Sequence, residues 1–430
     1  MTDENLTRAL PSRFVLAVVV GGVIGLGILR GPGEIAEVVT DPSLYLALWL
    51  LAGLFVLLST AVCAELVGMT PRSGGFYSLI RRAYGPYAGF VIGWADWLTY
   101  AADLALKAVV IMEFVAILVP ESAAWSTPLA IAVTSIFAVI QLRGIGLGAF
   151  IQETATAAIG LVVIGLSLVL FFAETTAAGA TNPVPADNSL GGWSLVIATI
   201  IFTYDGWLYA SYFSGEIRGG AGVVARSSIK GMVVVIVLYM LLNLALVKSV
   251  GLASLAGSDL ALARALELAT NPAAGSIIVI ASILILLSHQ NLEYMSGPRI
   301  LQALAEDGLA ARRAQNIGEG GNPVFAILVT WLVAVGLILV GGFEFLLLLS
   351  VFLFVPLYLV LIVGILILRK REPDAERPYR AWGHPYSTAV CLIGWTIVTL
   401  FQAYVEIETA LYAVAMVAVS WPVYQYLIRK

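Results

Sequence analysis

The chain has 430 residues, of which 60% are hydrophobic and only 12% charged, and its mean hydropathy is +0.96. This composition excludes a water-soluble fold and predicts an all-α protein that crosses the membrane many times. The net charge of −4 does not indicate a class of function. With only two cysteines and two histidines, a disulfide, a metal site or a Ser-His-Asp enzyme is not expected. We expect no enzymatic activity, no cofactor or metal, and no nucleic-acid partner.

Twelve apolar runs of membrane-spanning length follow one another along the chain. Their approximate limits are 14–38, 44–70, 86–118, 126–143, 148–173, 193–216, 228–250, 274–303, 323–341, 343–369, 387–405 and 409–428. No signal-peptide pattern precedes the first run, so the N-terminus is expected to stay attached.

Lysine and arginine concentrate in the two tails and in the connections after even-numbered spans, with Lys248 and Arg264 as exceptions. The other connections carry mainly acids. By the positive-inside rule, both termini are expected in the cytoplasm, with the spans surrounded by lipid.

The first span contains the stretch 21–33, GGVIGLGILRGPG, whose glycines and Pro32 weaken a helix. Non-helical backbone is tolerated at membrane depth only where it is buried in protein or lines a cavity. We therefore interpret Gly25-Leu26-Gly27 as a break that exposes amides on one side and carbonyls on the other, which suits a ligand with both charges. The alternative is a face of small residues that packs against another helix.

The sixth span repeats the signal at 201–207, IFTYDGW, where a glycine adjoins an ionisable residue. Two breaks five spans apart predict an inverted repeat, with two helices added. The expected organisation is a cytoplasmic tail (1–12), a first repeat (13–175), an outer loop (176–192), a second repeat (193–370), a cytoplasmic loop (371–386) and the last two helices (387–430).

Four stretches resemble the amino acid–polyamine–organocation family of transporters. They are GLGILRGPGEIA (25–36), AELVGMTPRSGGFYSLIRRAYGPYAGFVIGW (64–94), FTYDGWLYASYFSGEI (202–217) and PRILQALAEDG (298–308). Within that family the chain is most similar to bacterial amino acid permeases and to the light-chain exchangers of animal cells. The resemblance implies a LeuT-like fold that works by alternating access, and the chain is expected in a bacterial-type inner (plasma) membrane.

The resemblance also implies a substrate site at the two breaks. The amides around Gly25, Leu26, Gly27 and Ile28 would hold the carboxylate of an amino acid, and carbonyls near Val23, Ile24, Phe202 and Tyr204 would hold its ammonium group. Phe202 would close over the substrate from outside, and Leu26, Phe202 and Trp207 would make the pocket apolar.

Charged residues within the spans are candidates for substrate contact or for structural pairing. Asp205 either caps the amides that open the second half of span 6 or binds a cationic group of the substrate. Arg30 is expected to pair with Glu34, four residues on. Asp103 and Lys107 are also four apart and are expected to form an internal ion pair with a structural or gating role.

Span 8 places His289, Glu293 and Ser296 on one helix face. In sodium-coupled members of the fold, hydroxyls at this place hold the ion, but Pro298 replaces the usual small hydroxyl residue, which argues against a sodium site. Glu293 or His289 then remains as a proton carrier, with a plain hydrogen-bonded network as the alternative.

Span 5 departs from the family. Many proton-dependent relatives have a lysine seven residues after a glutamine, whereas here Gln152 is followed at that spacing by Ile159 and no lysine occurs in 144–173. A lysine-based proton mechanism on this span is therefore unsupported. Glu65, Arg72 and Glu216 match family residues near the cytoplasmic mouth and are expected to form ion pairs of an inner gate.

These patterns predict a transporter that moves neutral amino acids by exchange or facilitated transport. A proton-coupled symporter, or an antiporter of cationic amino acids or polyamines, is the alternative; a sensor, a channel and an intramembrane enzyme are less well supported. No disulfide-linked partner subunit is expected, because the loop at 119–127 has no cysteine.

Overall fold

The computed structural model describes residues 10–173, 189–258 and 260–428. Within these ranges every regular element is a helix, and the only β-type contact is an isolated bridge between Leu10 and Ile217. Most of the predicted tail (1–9) and of the predicted outer loop (176–188) lies outside the described residues.

Sixteen α-helices and four short 3-10 helices make up the described chain. The α-helices are α1 (Ser12–Val23), α2 (Leu26–Val38), α3 (Pro42–Gly68), α4 (Gly75–Tyr84), α5 (Pro86–Leu118), α6 (Ser126–Leu142), α7 (Ile145–Phe172), α8 (Leu190–Thr203), α9 (Ala221–Ser249), α10 (Ala261–Ala269), α11 (Pro272–Glu306), α12 (Val324–Val340), α13 (Phe343–Arg371), α14 (Tyr386–Val405), α15 (Ile407–Ala418) and α16 (Ser420–Ile428). The 3-10 helices are Pro120–Trp125, Tyr209–Phe213, Leu252–Ser254 and Arg312–Gln315.

Among the described residues, nine helical segments are long and apolar enough to cross a membrane, the first of them being α1 and α2 together. Helices α8 and α12 are apolar but shorter, and α5 is 33 residues long but carries Asp96, Asp103 and Lys107. The protein is thus a multi-pass membrane protein. The twelve spans and the inverted repeat remain predictions.

The first predicted span is broken, and α1 ends at Val23 while α2 begins at Leu26. The residues between the two helices, Ile24 and Gly25, have non-helical backbone conformations. A Cβ on Gly25 would lie 2.6 Å from the His289 ring, so a side chain at this position would collide with it. Pro32 does not end the helix, because α2 continues through it to Val38.

The sixth predicted span is also broken, but its second part is shorter than expected. Helix α8 ends at Thr203, and only the 3-10 helix Tyr209–Phe213 follows the break. Gly206 has a positive φ of 99°, and a Cβ there would lie 2.6 Å from the carbonyl oxygen of Gly22. The two breaks therefore touch, and glycine is required for both the turn and the contact.

Helix α5 runs along the centre of the bundle, where it packs on α4, α11 and α13. Helix α9 packs on α1 and α3 on the other side of the breaks. Side chains from α5, α9, α11 and α13 thus surround the two breaks.

Candidate functional site

A small cavity, the break chamber, lies where α1 gives way to α2. It has a volume of about 20 Å³ and is lined by backbone and apolar groups of Gly22, Val23, Gly25, Leu26, Gly27 and Phe202. Its polar side chains are Asp103, Lys107, Asp205, Tyr209 and His289. The volume is enough for one water molecule, so an amino acid could enter only if side chains move.

The carbonyl side of this break already has hydrogen-bonding partners in the protein. The Ile24 carbonyl lies 3.2 Å from Nε2 of His289. The Tyr239 hydroxyl lies 2.8 Å from the Val23 carbonyl and 3.1 Å from the Thr203 carbonyl, so it connects the two broken helices. Two carbonyls expected to face a substrate ammonium are thus engaged, and a ligand would have to share or replace these contacts.

Three charged side chains on α5 and α11 form a buried cluster beside the break chamber. Lys107 Nζ lies 3.3 Å from Asp103, as the four-residue spacing predicted, and it also contacts Glu293. The three side chains are at most 6% exposed. Asp103 Oδ1 and Glu293 Oε2 have no hydrogen-bond partner. Sequence reasoning missed the contact between Lys107 and Glu293, which are 186 residues apart.

Ser296 turns away from this cluster. Its hydroxyl donates a 2.9 Å hydrogen bond to the Leu292 carbonyl of its own helix. The hydroxyl that a sodium site would use therefore donates its hydrogen within α11.

A second cavity, the aromatic chamber, adjoins the break chamber and has a volume of about 30 Å³. Half of its twelve lining residues are aromatic: Phe76, Tyr100, Tyr209, Tyr212, Phe354 and Tyr358. Its acids are Asp96, Asp103 and Asp205, and the last two also line the break chamber. Neither Asp96 nor any of the six aromatic residues was among the predicted site residues, although Asp96 and Tyr100 lie on α5 with Asp103 and Lys107.

Asp205 lies where the two chambers meet. Its carboxylate accepts a hydrogen bond from the Tyr358 hydroxyl and lies near the Gly206 amide. It does not cap the helix that follows, since no side chain caps Tyr209–Phe213. The cap interpretation is therefore wrong for that helix.

Four other predicted site residues line neither chamber. Tyr204 is buried and donates a 3.0 Å hydrogen bond to the Trp49 carbonyl, and Trp207 stacks on Tyr358 with ring centroids 4.9 Å apart. Ile28 is fully buried in the core. Ile159 lines a separate apolar cavity between α6, α7 and α11. Instead, Thr156 of α7 contacts α1, through a 2.9 Å bond to the Ala17 carbonyl.

The expected gate residues form three separate groups of ion pairs at the end of the bundle where α3, α11 and α13 finish. Glu65 pairs with Arg369 and Arg377, and Arg72 pairs with Glu306 and Asp307. Glu216 binds Arg299, with 2.7 Å between Oε1 and Nε. They do not pair with one another: Glu65 reaches α13 and the segment after it, whereas Arg72 and Glu216 reach different positions at the end of α11.

The Leu10 segment is joined to the Glu216 pair. The Leu10 amide donates to the Glu216 carbonyl at 3.1 Å, and the Arg218 amide donates to the Leu10 carbonyl at 2.9 Å. The start of the described chain is thus attached beside Arg299.

Arg30 has a closer partner than the predicted one. It lies 3.2 Å from Glu113 of α5 and 3.9 Å from Glu34, and its guanidinium covers the Phe343 ring at 4.1 Å. Glu34 in turn accepts a 2.8 Å hydrogen bond from Thr199 of α8. These contacts join α2 to α5, α8 and α13.

Comparisons with known proteins agree with this architecture. The chain is 25% identical over 400 residues to the serine/threonine exchanger SteT of Bacillus subtilis, covering 91% of this chain and 90% of that protein. It is 24% identical over 432 residues to a gamma-aminobutyric acid permease of the same bacterium, covering 94% and 90%. It is 27% identical over 257 residues to the b(0,+)-type amino acid transporter 1 of Oryctolagus cuniculus, covering 56% and 52%.

These relatives are transporters rather than enzymes. The amino acid permease family model matches residues 14–422, which is nearly the whole chain. The chain therefore belongs to the amino acid permease family of the amino acid–polyamine–organocation superfamily.

Proposed function

We propose that this chain carries amino acids across the plasma membrane by alternating access, with the amino acid backbone bound at the break chamber. The observation that carries the proposal is the break itself. The carbonyl end of α1 and the amide end of α2 face one cavity, and an α-amino acid has the two opposite charges that such ends attract.

Exchange or facilitated transport is the mode we propose. No lysine stands on α7 at the family position, where Ile159 lines an apolar cavity instead. Ser296 is bonded within α11. With both termini in the cytoplasm, the three groups of ion pairs of Glu65, Arg72 and Glu216 would form the inner gate, which must open to release substrate.

The test is uptake of radiolabelled amino acids into proteoliposomes that are either empty or preloaded with unlabelled amino acid. Each condition is measured with and without imposed proton and sodium gradients. We expect uptake only into preloaded vesicles for exchange, or equilibration in empty vesicles for facilitated transport, without an effect of either gradient. Absence of uptake of every proteinogenic amino acid would contradict the proposal.

Proton-coupled symport is a second candidate, favoured by the Lys107 cluster. Asp103 faces Lys107 from its own helix and Glu293 faces it from α11, while Asp205, Tyr209 and His289 line the same chamber. A titratable cluster against the break could link protonation to the closing of the chamber. This candidate predicts accumulation into empty vesicles driven by a pH gradient and its loss in Glu293→Gln.

The preference for a neutral side chain loses one of its two grounds. It depended on the apolar residues Leu26, Phe202 and Trp207 and on Asp205 being engaged as a helix cap, whereas Asp205 lines both chambers. The side chain of the substrate must therefore be inferred from the aromatic chamber.

A further inference from the structure

The two chambers contain an excess of buried negative charge. The acids that line them are Asp96, Asp103 and Asp205, and Glu293 contacts Lys107 beside the break chamber. Among the described lining residues, Lys107 is the one lysine or arginine. An uncompensated charge at membrane depth is costly. Either the acids hold protons or a cation from outside the chain balances them.

Asp96 is the acid whose surroundings favour a cation. It is 1% exposed, and one oxygen accepts a 2.8 Å hydrogen bond from the Tyr212 hydroxyl. The Phe76 amide also lies against this carboxylate, and the other oxygen, Oδ2, has no well-formed hydrogen bond. Asp96 thus offers the aromatic chamber a buried, unsatisfied acceptor.

The aromatic rings of this chamber also favour a cation. The centroid of Tyr100 lies 5.1 Å from that of Tyr212 and 5.6 Å from that of Tyr209, and Phe76 lies 5.9 Å from Tyr358. Faces of aromatic rings attract cations, and aromatic cages with carboxylates recognise ammonium groups. A volume of about 30 Å³ suits a group the size of a water molecule or an ammonium ion.

The two chambers are adjacent, because both are lined by Asp103, Asp205 and Tyr209. One molecule with its amino acid backbone at the break could therefore place a side chain in the aromatic chamber. A side chain that ends in an ammonium group would both donate to Asp96 and balance its charge.

We propose that the aromatic chamber is a subsite for the side-chain ammonium of a basic amino acid, with Asp96 as its anionic partner. This inference rests on the proposed function, since it assumes that the backbone of the same substrate lies at the break. It assigns the substrate class, since the sequence alone did not decide between neutral and cationic amino acids.

The experiment compares L-lysine with L-norleucine in proteoliposome exchange, because the two differ in the side-chain ammonium. We expect the KM of lysine to be at least about tenfold lower than that of norleucine, the effect of ~1.4 kcal/mol of binding free energy. Equal KM values, or a lower value for norleucine, would overturn the inference, whatever any variant does.

Asp96→Asn then assigns the effect to this chamber. We expect the ratio of the two KM values to shift about tenfold toward norleucine, which corresponds to the same free energy. Asp374→Asn is the matched control, because Asp374 is an exposed loop residue, and it should leave both values unchanged. A lysine preference that is the same in Asp96→Asn as in wild type would overturn the role of Asp96.

Failure of the proposed function would look different. If neither amino acid is exchanged, the thermal stability of the detergent-solubilised protein is measured with lysine and with norleucine. Stabilisation by lysine alone supports the subsite although transport fails, and equal or absent stabilisation overturns it. Exchange of norleucine without lysine supports the transporter and overturns the subsite.

Discussion

The two chambers differ in what their walls are made of. The break chamber includes the glycine backbone of the break at Gly25 and Gly27, and its lysine is held by two acids. The aromatic chamber is formed by side chains from four separate elements, and Asp96 has no basic partner in it. Backbone at a helix break can recognise any amino acid, whereas selection between side chains requires groups such as those of the second chamber.

The largest effect is expected at the backbone of the break chamber. A Cβ in Gly27→Ala would lie 2.5 Å from Cα of Thr203, and backbone cannot yield as a flexible side chain would. We expect exchange in proteoliposomes to fall by about 100-fold, as displaced binding geometries do. Gly160→Ala, in α7 with nothing within 4 Å of the new methyl group, is the control and should exchange normally. Normal exchange by Gly27→Ala would show that the close contact of the breaks is dispensable.

The second effect concerns the charges beside that chamber. Lys107→Met leaves Asp103 and Glu293 buried without their cation, which should lower the free energy of unfolding by ~3–5 kcal/mol. The apparent melting temperature in detergent measures the loss. Lys230→Met, at an exposed position, is the control.

Adding Glu293→Gln to Lys107→Met should recover part of that stability, because one unpaired charge is removed. A double variant no more stable than the single one would mean that Lys107 acts by packing rather than by charge.

A smaller effect is expected at the junction of the chambers. Tyr358→Phe removes the hydroxyl that donates to Asp205, and losing a hydrogen bond to a buried carboxylate should cost ~1–3 kcal/mol of stability. The melting temperature should fall, while Tyr404→Phe, whose ring is 75% exposed, should leave it unchanged. A Tyr358→Phe protein as stable as wild type would show that Asp205 finds another donor.

The smallest effect is expected at Ser296. Its hydroxyl is hydrogen-bonded to its own helix, so Ser296→Ala should exchange amino acids at the wild-type rate. Replacing sodium by choline should leave that rate unchanged in both proteins. Sodium-dependent uptake that disappears in Ser296→Ala would place an ion beside the break chamber instead.

Much of the break chamber could be predicted from sequence, because its determinants are local. Glycines beside Leu26 weaken the helix, and the spacing of Asp103 and Lys107 places them one turn apart. The part played by Glu293 could not be predicted, since no local pattern shows which distant helix faces Lys107.

The aromatic chamber was missed for the same reason, with one exception. Tyr212 and Tyr358 belong to different elements, and only packing brings them to one cavity. Asp96, however, is an ionisable residue in an apolar run, seven positions before Asp103 and on the same helix face. The rule that singled out Asp103 could have singled out Asp96 as well.

The attachment of Leu10 connects this segment to the opening of the nearby end of the bundle. Its two backbone hydrogen bonds join it to the chain on both sides of Ile217, and Glu216 holds Arg299 of α11. Any movement that separates Glu216 from Arg299 must carry Leu10 along or release it. A spectroscopic label near residue 10, paired with one on α11, would therefore measure the opening of this end as a change in distance, without any substitution in either chamber.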